Sequence, residues 1–125
     1  MNIEEAKDFI RERTPKSREV FWVIPLDNRN LLIGKPIKLS VGSRYNVLVE
    51  PREVLRALIR RNAARGMVVH NHPSGVKNPS CQDILLTKQL VEGGRWIEMP
   101  ILDHVIMAGD GDFSMKEEHL IGDDE

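Results

Sequence analysis

The sequence predicts an α/β fold of the α+β kind, a mixed β-sheet flanked by helices, and three observations predict it. Segments rich in β-branched and aromatic residues alternate with segments whose apolar residues recur at helical spacing. The 125 residues suit one domain and are too few for two ordinary ones. Apolar side chains make up 41% of the chain. Its nine glycines raise the total to about 48%, within the globular range of roughly 45–50%. That composition excludes a disordered or fibrous chain.

Asn2, followed three residues later by Glu5, reads as a capping box opening an N-terminal helix over residues 3–13. Ile3, Ala6, Phe9 and Ile10 share one face of it. Pro15 biases Thr14 away from helix and removes a donor, so residues 14–17 are a stop. Residues 19–26 (EVFWVIPL) read as a buried strand. Residues 27–30 form a turn, and residues 31–41 return as a second strand interrupted at Gly34 and Pro36. Residues 42–44 are a loop and residues 46–49 a short strand.

Pro51 suits the first position of a helix reaching about residue 65, with Val54, Leu55, Leu58 and Ile59 as its apolar face and Gly66 as its terminator. Residues 67–72 (MVVHNH) form a short strand, followed by an irregular proline- and glycine-rich loop over 73–79. Ser80 opens a helix to about residue 92, closed by Gly93 and Gly94. Residues 101–108 are a strand, 109–112 a turn and 113–115 a last short strand. Residues 1–125 thus form one domain with its core over about 17–120, and the acidic tail, 122–125, is expected to fray. Trp22 and Trp96 read as core or rim residues.

Eighteen basic residues against nineteen acidic ones give a net charge of −1, so no positive excess announces a nucleic-acid partner. Cys81 is the single cysteine, which excludes an internal disulfide and every zinc site built on two or more thiolates. The N-terminus lacks a charged start followed by an apolar run, and no apolar stretch approaches the ~20 residues that span a bilayer. A cytoplasmic, reducing setting with no membrane partner is the expectation. The four histidines are the place to look for chemistry.

His70 and His72 are one residue apart on a predicted strand, so both imidazoles point to one face. They stand at the strand's C-terminal end, the edge where α/β proteins place their sites. Ser80 and Asp83 follow, three apart, in the first turn of a helix whose dipole favours an ionised carboxylate. Two imidazoles and a carboxylate are a ligand set for catalytic zinc, with a fourth position left to water whose pKa falls toward ~7. Ser80 and Asp83 also satisfy a helix-capping pattern. An aspartate can do both, offering one oxygen to a backbone N–H and the other to a metal. A lone strand histidine is more often a packed residue than a ligand. The combination of His-x-His, tight loop and Ser-x-x-Asp outweighs that reading.

His70-Asn71-His72-Pro73, the loop through Pro79, and Ser80-Cys81-Gln82-Asp83 resemble the JAMM (MPN+) signature, His-x-His-x(7)-Ser-x(2)-Asp. Pro51-Arg52-Glu53-Val54, His70 through Gly75, and Leu102-Asp103-His104-Val105-Ile106 resemble, in order, blocks of its RadC-like branch. The resemblance covers about residues 17–120. It implies a JAMM/MPN-like, cytidine-deaminase-like architecture. It also implies one zinc ion held by His70, His72 and Asp83, with a bound water as nucleophile. An upstream glutamate matched by Glu19 would be the general base, and Ser80 would help stabilise the oxyanion. The residues alone cannot choose Glu19 over Glu50 or Glu53. The implied reaction is zinc-dependent hydrolysis of an amide in a peptide or isopeptide substrate.

The adjacency of His70, Asn71 and His72 does not make an HNH nuclease, whose residues are spread over a ββα motif. Cys81 in a first helical turn could form a thiolate, but its nearest histidines are committed to metal. The alternative to an enzyme is a non-catalytic, metal-stabilised module of DNA repair or processing. It would bind DNA or protein through Arg52, Arg56 and Arg60, four apart on one helix face, with Arg61 and Arg65 nearby. The charge of −1 argues against it. Members of the RadC-like family usually carry an N-terminal helical domain resembling helix-hairpin-helix modules. The expectation is a stand-alone version or a piece of a longer protein. His104 is conceivable as a fourth ligand, although a place in the core or behind the ligands fits a strand position better. His119 lies in a charged, exposed segment. Loops over 34–44 and 74–78 are expected to shape the substrate site, and strand edges leave a dimer open.

Overall fold

A computed structural model of the chain describes residues 1–41 and 49–122. In order the elements are α1 (Ile3–Arg13), β1 (Val20–Leu26), β2 (Ile37–Val41), α2 (Pro51–Arg60), β3 (Arg65–Asn71), α3 (Cys81–Trp96), β4 (Ile101–Ala108) and β5 (Gly111–Ser114). The strands form one sheet in the order β2-β1-β3-β4-β5. β3 and β4 run parallel, with α3 as the crossover that parallel neighbours require, and the other neighbours are antiparallel. This is the mixed sheet flanked by helices that the sequence predicts.

Strand alternation sorts the core into two layers. Val20, Trp22 and Ile24 of β1, with Met67 and Val69 of β3, pack against Ala6 and Ile10 of α1. Phe21, Val23 and Val68 face the other way, onto Val54 and Leu58 of α2 and Leu90 of α3. The capping box of α1 is present: Asn2 Oδ1 accepts from Glu5 N at 2.8 Å, and Glu5 Oε1 accepts from Asn2 N at 3.0 Å. Beyond its last turn, Thr14 Oγ1 donates to the Ile10 carbonyl and receives the Trp22 indole N–H, so α1 is pinned to β1. No helix among the described residues is long and apolar enough to cross a membrane.

Several expected boundaries move, each for a packing reason. α2 ends at Arg60 rather than near 65, and the chain turns through Asn62 in the left-handed region at φ 54°. Gly66 therefore terminates nothing and lies in β3. A Cβ there would sit 2.6 Å from Leu58 Cδ1, so its smallness lets α2 approach the sheet. Gly93 and Gly94 do not close α3, which continues to Trp96. A Cβ on Gly94 would stand 2.5 Å from the Met99 carbonyl oxygen, so this glycine admits the returning chain. Trp22 is buried as expected, whereas Trp96 is 81% exposed and belongs to neither core nor rim.

Of the second strand, only Ile37–Val41 joins the ladder, apart from an isolated bridge between Leu26 and Leu32. Its irregular first half is held by the Arg61 guanidinium, which donates to the carbonyls of Ile33 and Lys35. The last strand is Gly111–Ser114, and Met115 instead packs with Ile106 and Ile121. The loop expected over 42–44 and most of the strand expected over 46–49 lie outside the described residues, as do residues 123–125 of the tail. Val49 is in no strand.

Candidate metal centre

The parallel strands β3 and β4 end at one edge of the sheet, and β1, antiparallel to β3, begins there. Phe21 lies opposite His70. Continued two residues back along β1 and two forward along β3, that register sets Glu19 opposite His72. His70 shares the face of Val68, toward α3. His72 prolongs the strand line, its N–H donating to the Met107 carbonyl at 2.9 Å. Ser80 caps α3 over the same edge, with Asp83 in the first turn.

These elements bring the ligand atoms together. His70 Nε2 and His72 Nε2 are 3.1 Å apart. Asp83 Oδ1 lies 3.3 Å from His70 Nε2, and Oδ2 lies 3.1 Å from His72 Nε2. A carboxylate oxygen of Glu19 and the two histidine nitrogens all fall within 4.8 Å of one another, a group that could hold a metal ion. Two carboxylates, those of Glu19 and Asp83, thus face one pair of imidazoles. The site is graded: His70 is 2% exposed, whereas His72 and Asp83 reach solvent. A cavity of about 340 Å³ opens beside His72, between the end of α1 and the β4–β5 turn, with Arg11, Lys16, Asn71, Met107 and Asp112 in its wall.

Each histidine is oriented from behind. His72 Nδ1 is 3.0 Å from the Val76 carbonyl, which can only accept, so Nδ1 carries the hydrogen. His70 Nδ1 meets His104 Nε2 at 2.8 Å, and Phe21 stacks on His70 with ring planes 14° apart. His104 is fully buried, and desolvation holds its pKa well below the usual imidazole value. Burial opposes ionisation of Asp83, but the imidazoles of His70 and His72 beside it prevail and hold its carboxyl well below the ordinary carboxylate range. The Asp83 hydrogen bond raises the pKa of His72 against desolvation, with help from the Val76 carbonyl. A metal entering the cluster would take the place of the proton shared by His72 and Asp83.

All five residues singled out in the sequence therefore lie at this edge. Ser80 is the helix cap: its Oγ accepts from Asp83 N at 3.0 Å and its N–H donates to Asp83 Oδ2 at 2.8 Å. Asp83 combines capping with the approach to both histidines, as its position allows. His104 is not a further ligand, because its two ring nitrogens are taken by His70 and Thr87. Glu50 and Glu53 are removed from contention at the start of α2, where Glu53 Oε1 accepts from Glu50 N. Cys81 and His119 are exposed. Of the arginines, Arg61 braces the chain before β2 and Arg65 donates to Asn30. Arg52, Arg56 and Arg60 are exposed on α2, with Arg52 paired to Glu50.

Two residues escaped the sequence reading. Asn71, between the histidines, points to the opposite face: its Oδ1 accepts from Val20 N at 2.7 Å, and its Nδ2 donates to the carbonyls of Arg18 and Pro15. It clamps the segment that carries Glu19. Thr87, one helical turn beyond Asp83, bonds His104 at 2.6 Å. Only that i, i+4 spacing hints at it in the sequence.

The sequence pattern of the RadC-like JAB domain matches residues 1–120. The UPF0758 protein tlr1707 of Thermosynechococcus vestitus is 43% identical over 103 residues, which cover 82% of this chain and 40% of that protein. A UPF0758 protein of Methanosarcina mazei is 39% identical over 124 residues, covering 95% of this chain and 53% of its own length. The UPF0758 protein pc1765 of Protochlamydia amoebophila is 42% identical over 106 residues, 85% of this chain and 46% of that protein. The chain spans roughly two fifths to a half of the curated relatives it matches. Because the matched pattern runs through every element from α1 to β5, the edge that carries His70, His72 and Asp83 included, the chain belongs to the RadC-like JAB domain family.

Proposed function

We propose that this domain is a zinc-dependent hydrolase that cleaves an amide bond in a peptide or isopeptide. The observation that carries the proposal is the convergence of His70 Nε2, His72 Nε2 and the Asp83 carboxylate at 3.1–3.3 Å, with the Glu19 carboxylate beside them. Ligands 2.0–2.1 Å from a tetrahedral ion stand about 3.3–3.4 Å apart, so the donor set fits zinc in size as well as in chemistry. His70, His72 and Asp83 would hold the ion. When bound, zinc supplies the Lewis acidity that activates a water and polarises the scissile carbonyl.

The chain's own groups do the rest. Glu19 would take a proton from the attacking water and return it to the leaving amine. Ser80 keeps its hydroxyl hydrogen while its oxygen caps α3, so it can donate to the developing oxyanion. The cavity beside His72 offers an open approach for an extended chain, with Arg11 and Lys16 in its wall.

The test joins metal content to activity on peptide and isopeptide substrates. The parent should bind one zinc, and His70→Ala should lose it. Glu19→Gln should keep zinc while hydrolysis falls by about 10²–10⁴-fold. A parent that takes up no zinc overturns the site assignment. Zinc without Glu19-dependent hydrolysis would favour the DNA-associated module. The exposed Arg52, Arg56 and Arg60 face of α2 would then show a salt-dependent DNA affinity, weakened by Arg56→Ala.

A further inference from the structure

Behind His70 runs a line of hydrogen bonds with no role in the hydrolytic steps above. Thr87 Oγ1 is 2.8 Å from the Asp83 carbonyl and 2.6 Å from His104 Nδ1, and His104 Nε2 is 2.8 Å from His70 Nδ1. Thr87, His104 and His70 are each at most 2% exposed, so solvent offers them no substitute partner. Phe21 touches both rings, stacked on His70 and edge-on to His104, which fixes their planes.

The direction of these bonds follows from what each group can do. The Asp83 carbonyl only accepts, so the single Thr87 hydroxyl hydrogen goes there. Thr87 Oγ1 then accepts from His104 Nδ1–H. A neutral imidazole has one N–H, so His104 Nε2 is bare and accepts from His70 Nδ1–H. His70 is left with an unprotonated Nε2 facing His72 and Asp83. Reversing the chain would put the hydrogen on His70 Nε2, aim it at the cluster and close that ligand position.

We propose that Thr87 and His104 are positioning residues that set the tautomer of His70 and thereby keep its Nε2 lone pair available to a metal. The inference rests on reading His70 as a ligand. It also explains why α3 supplies two groups one turn apart. Asp83 approaches the histidines directly, while Thr87 acts through β4 on the ring carried by β3.

Thr87→Val removes the hydroxyl at nearly constant volume, and Thr87→Ser keeps it. In the metal-free protein, ¹⁵N NMR of the imidazoles should find His70 protonated on Nδ1 in the parent and in Thr87→Ser. In Thr87→Val the hydrogen should appear on Nε2 or be shared. Zinc affinity, read by chelator competition, should fall about 10–100-fold in Thr87→Val and stay at the parent value in Thr87→Ser. His104→Gln, whose amide can accept from His70 and donate to Thr87, should recover most of the affinity that His104→Leu loses.

An unchanged His70 tautomer in Thr87→Val, or equal zinc affinity across the set, overturns the proposal. Should Thr87→Val fail to fold, an Nε2-protonated His70 in the parent would overturn it alone. A parent that binds no zinc, but whose His70 tautomer follows Thr87, would remove the ligand reading and leave the relay standing.

Discussion

Replacing Asn71 with leucine keeps the approximate volume of a buried side chain and removes the side-chain hydrogen bonds that tie β3 to the start of β1 and the segment before it. The buried Val20 N–H loses its acceptor at 2.7 Å, and the carbonyls of Arg18 and Pro15 lose their donor. A buried donor left without a partner costs about 1–3 kcal/mol, and each remaining bond contributes about 0.5–1.5 kcal/mol. Arg18 and Pro15 are exposed, so water replaces much of what their carbonyls lose. The total is about 3 kcal/mol, a large part of the roughly 5–15 kcal/mol that holds a domain together. At this chain length Tm should fall by about 10 °C.

Glu19 sits between two of the clamped points, so loosening them frees the carboxylate from its place opposite His72. Under the proposed function, Asn71→Leu should therefore still take up zinc but lose more hydrolysis than its unfolded fraction explains. Urea denaturation, metal content and peptidase assays below the new Tm separate these effects. A stability loss under about 1 kcal/mol would refute the account of Asn71 as a clamp.

Three further substitutions test the fold away from the site. Gly94→Ala places a methyl 2.5 Å from the Met99 carbonyl oxygen and should destabilise by about 2 kcal/mol, despite alanine's better helix propensity. Gly93→Ala meets only the flexible Leu55 Cδ1 at 3.1 Å, and urea melts should find it neutral or better. Asp27 accepts from the N–H groups of Leu31 and Arg29, which lower its pKa. A depressed folded pKa stabilises above the unfolded value, and that stability is lost as pH falls through the folded one. The Tm difference between parent and Asp27→Asn should therefore hold above about pH 4 and close on further acidification. A constant difference down to about pH 2.5 would refute the turn's dependence on the carboxylate charge.

The His-x-His and Ser-x-x-Asp pattern was legible in the sequence because it is local. A strand puts residues two apart on one face, and a helix start puts Ser80 and Asp83 within one turn, so both pairs declare their directions without the rest of the chain. The capping box of α1 and the span of β4 were readable for the same reason. Tertiary structure decided what depends on partners distant in sequence. Apart from the family resemblance, it is sheet register that lifts Glu19 above Glu50, which pairs with Arg52, and Glu53, which accepts from Glu50 N. The glycines of α3 resemble a terminator until the returning chain at Met99 is seen pressed against Gly94. Thr87 and Asn71 are ordinary polar residues in the sequence. They acquire their roles only where packing removes water and leaves each hydrogen bond a single partner.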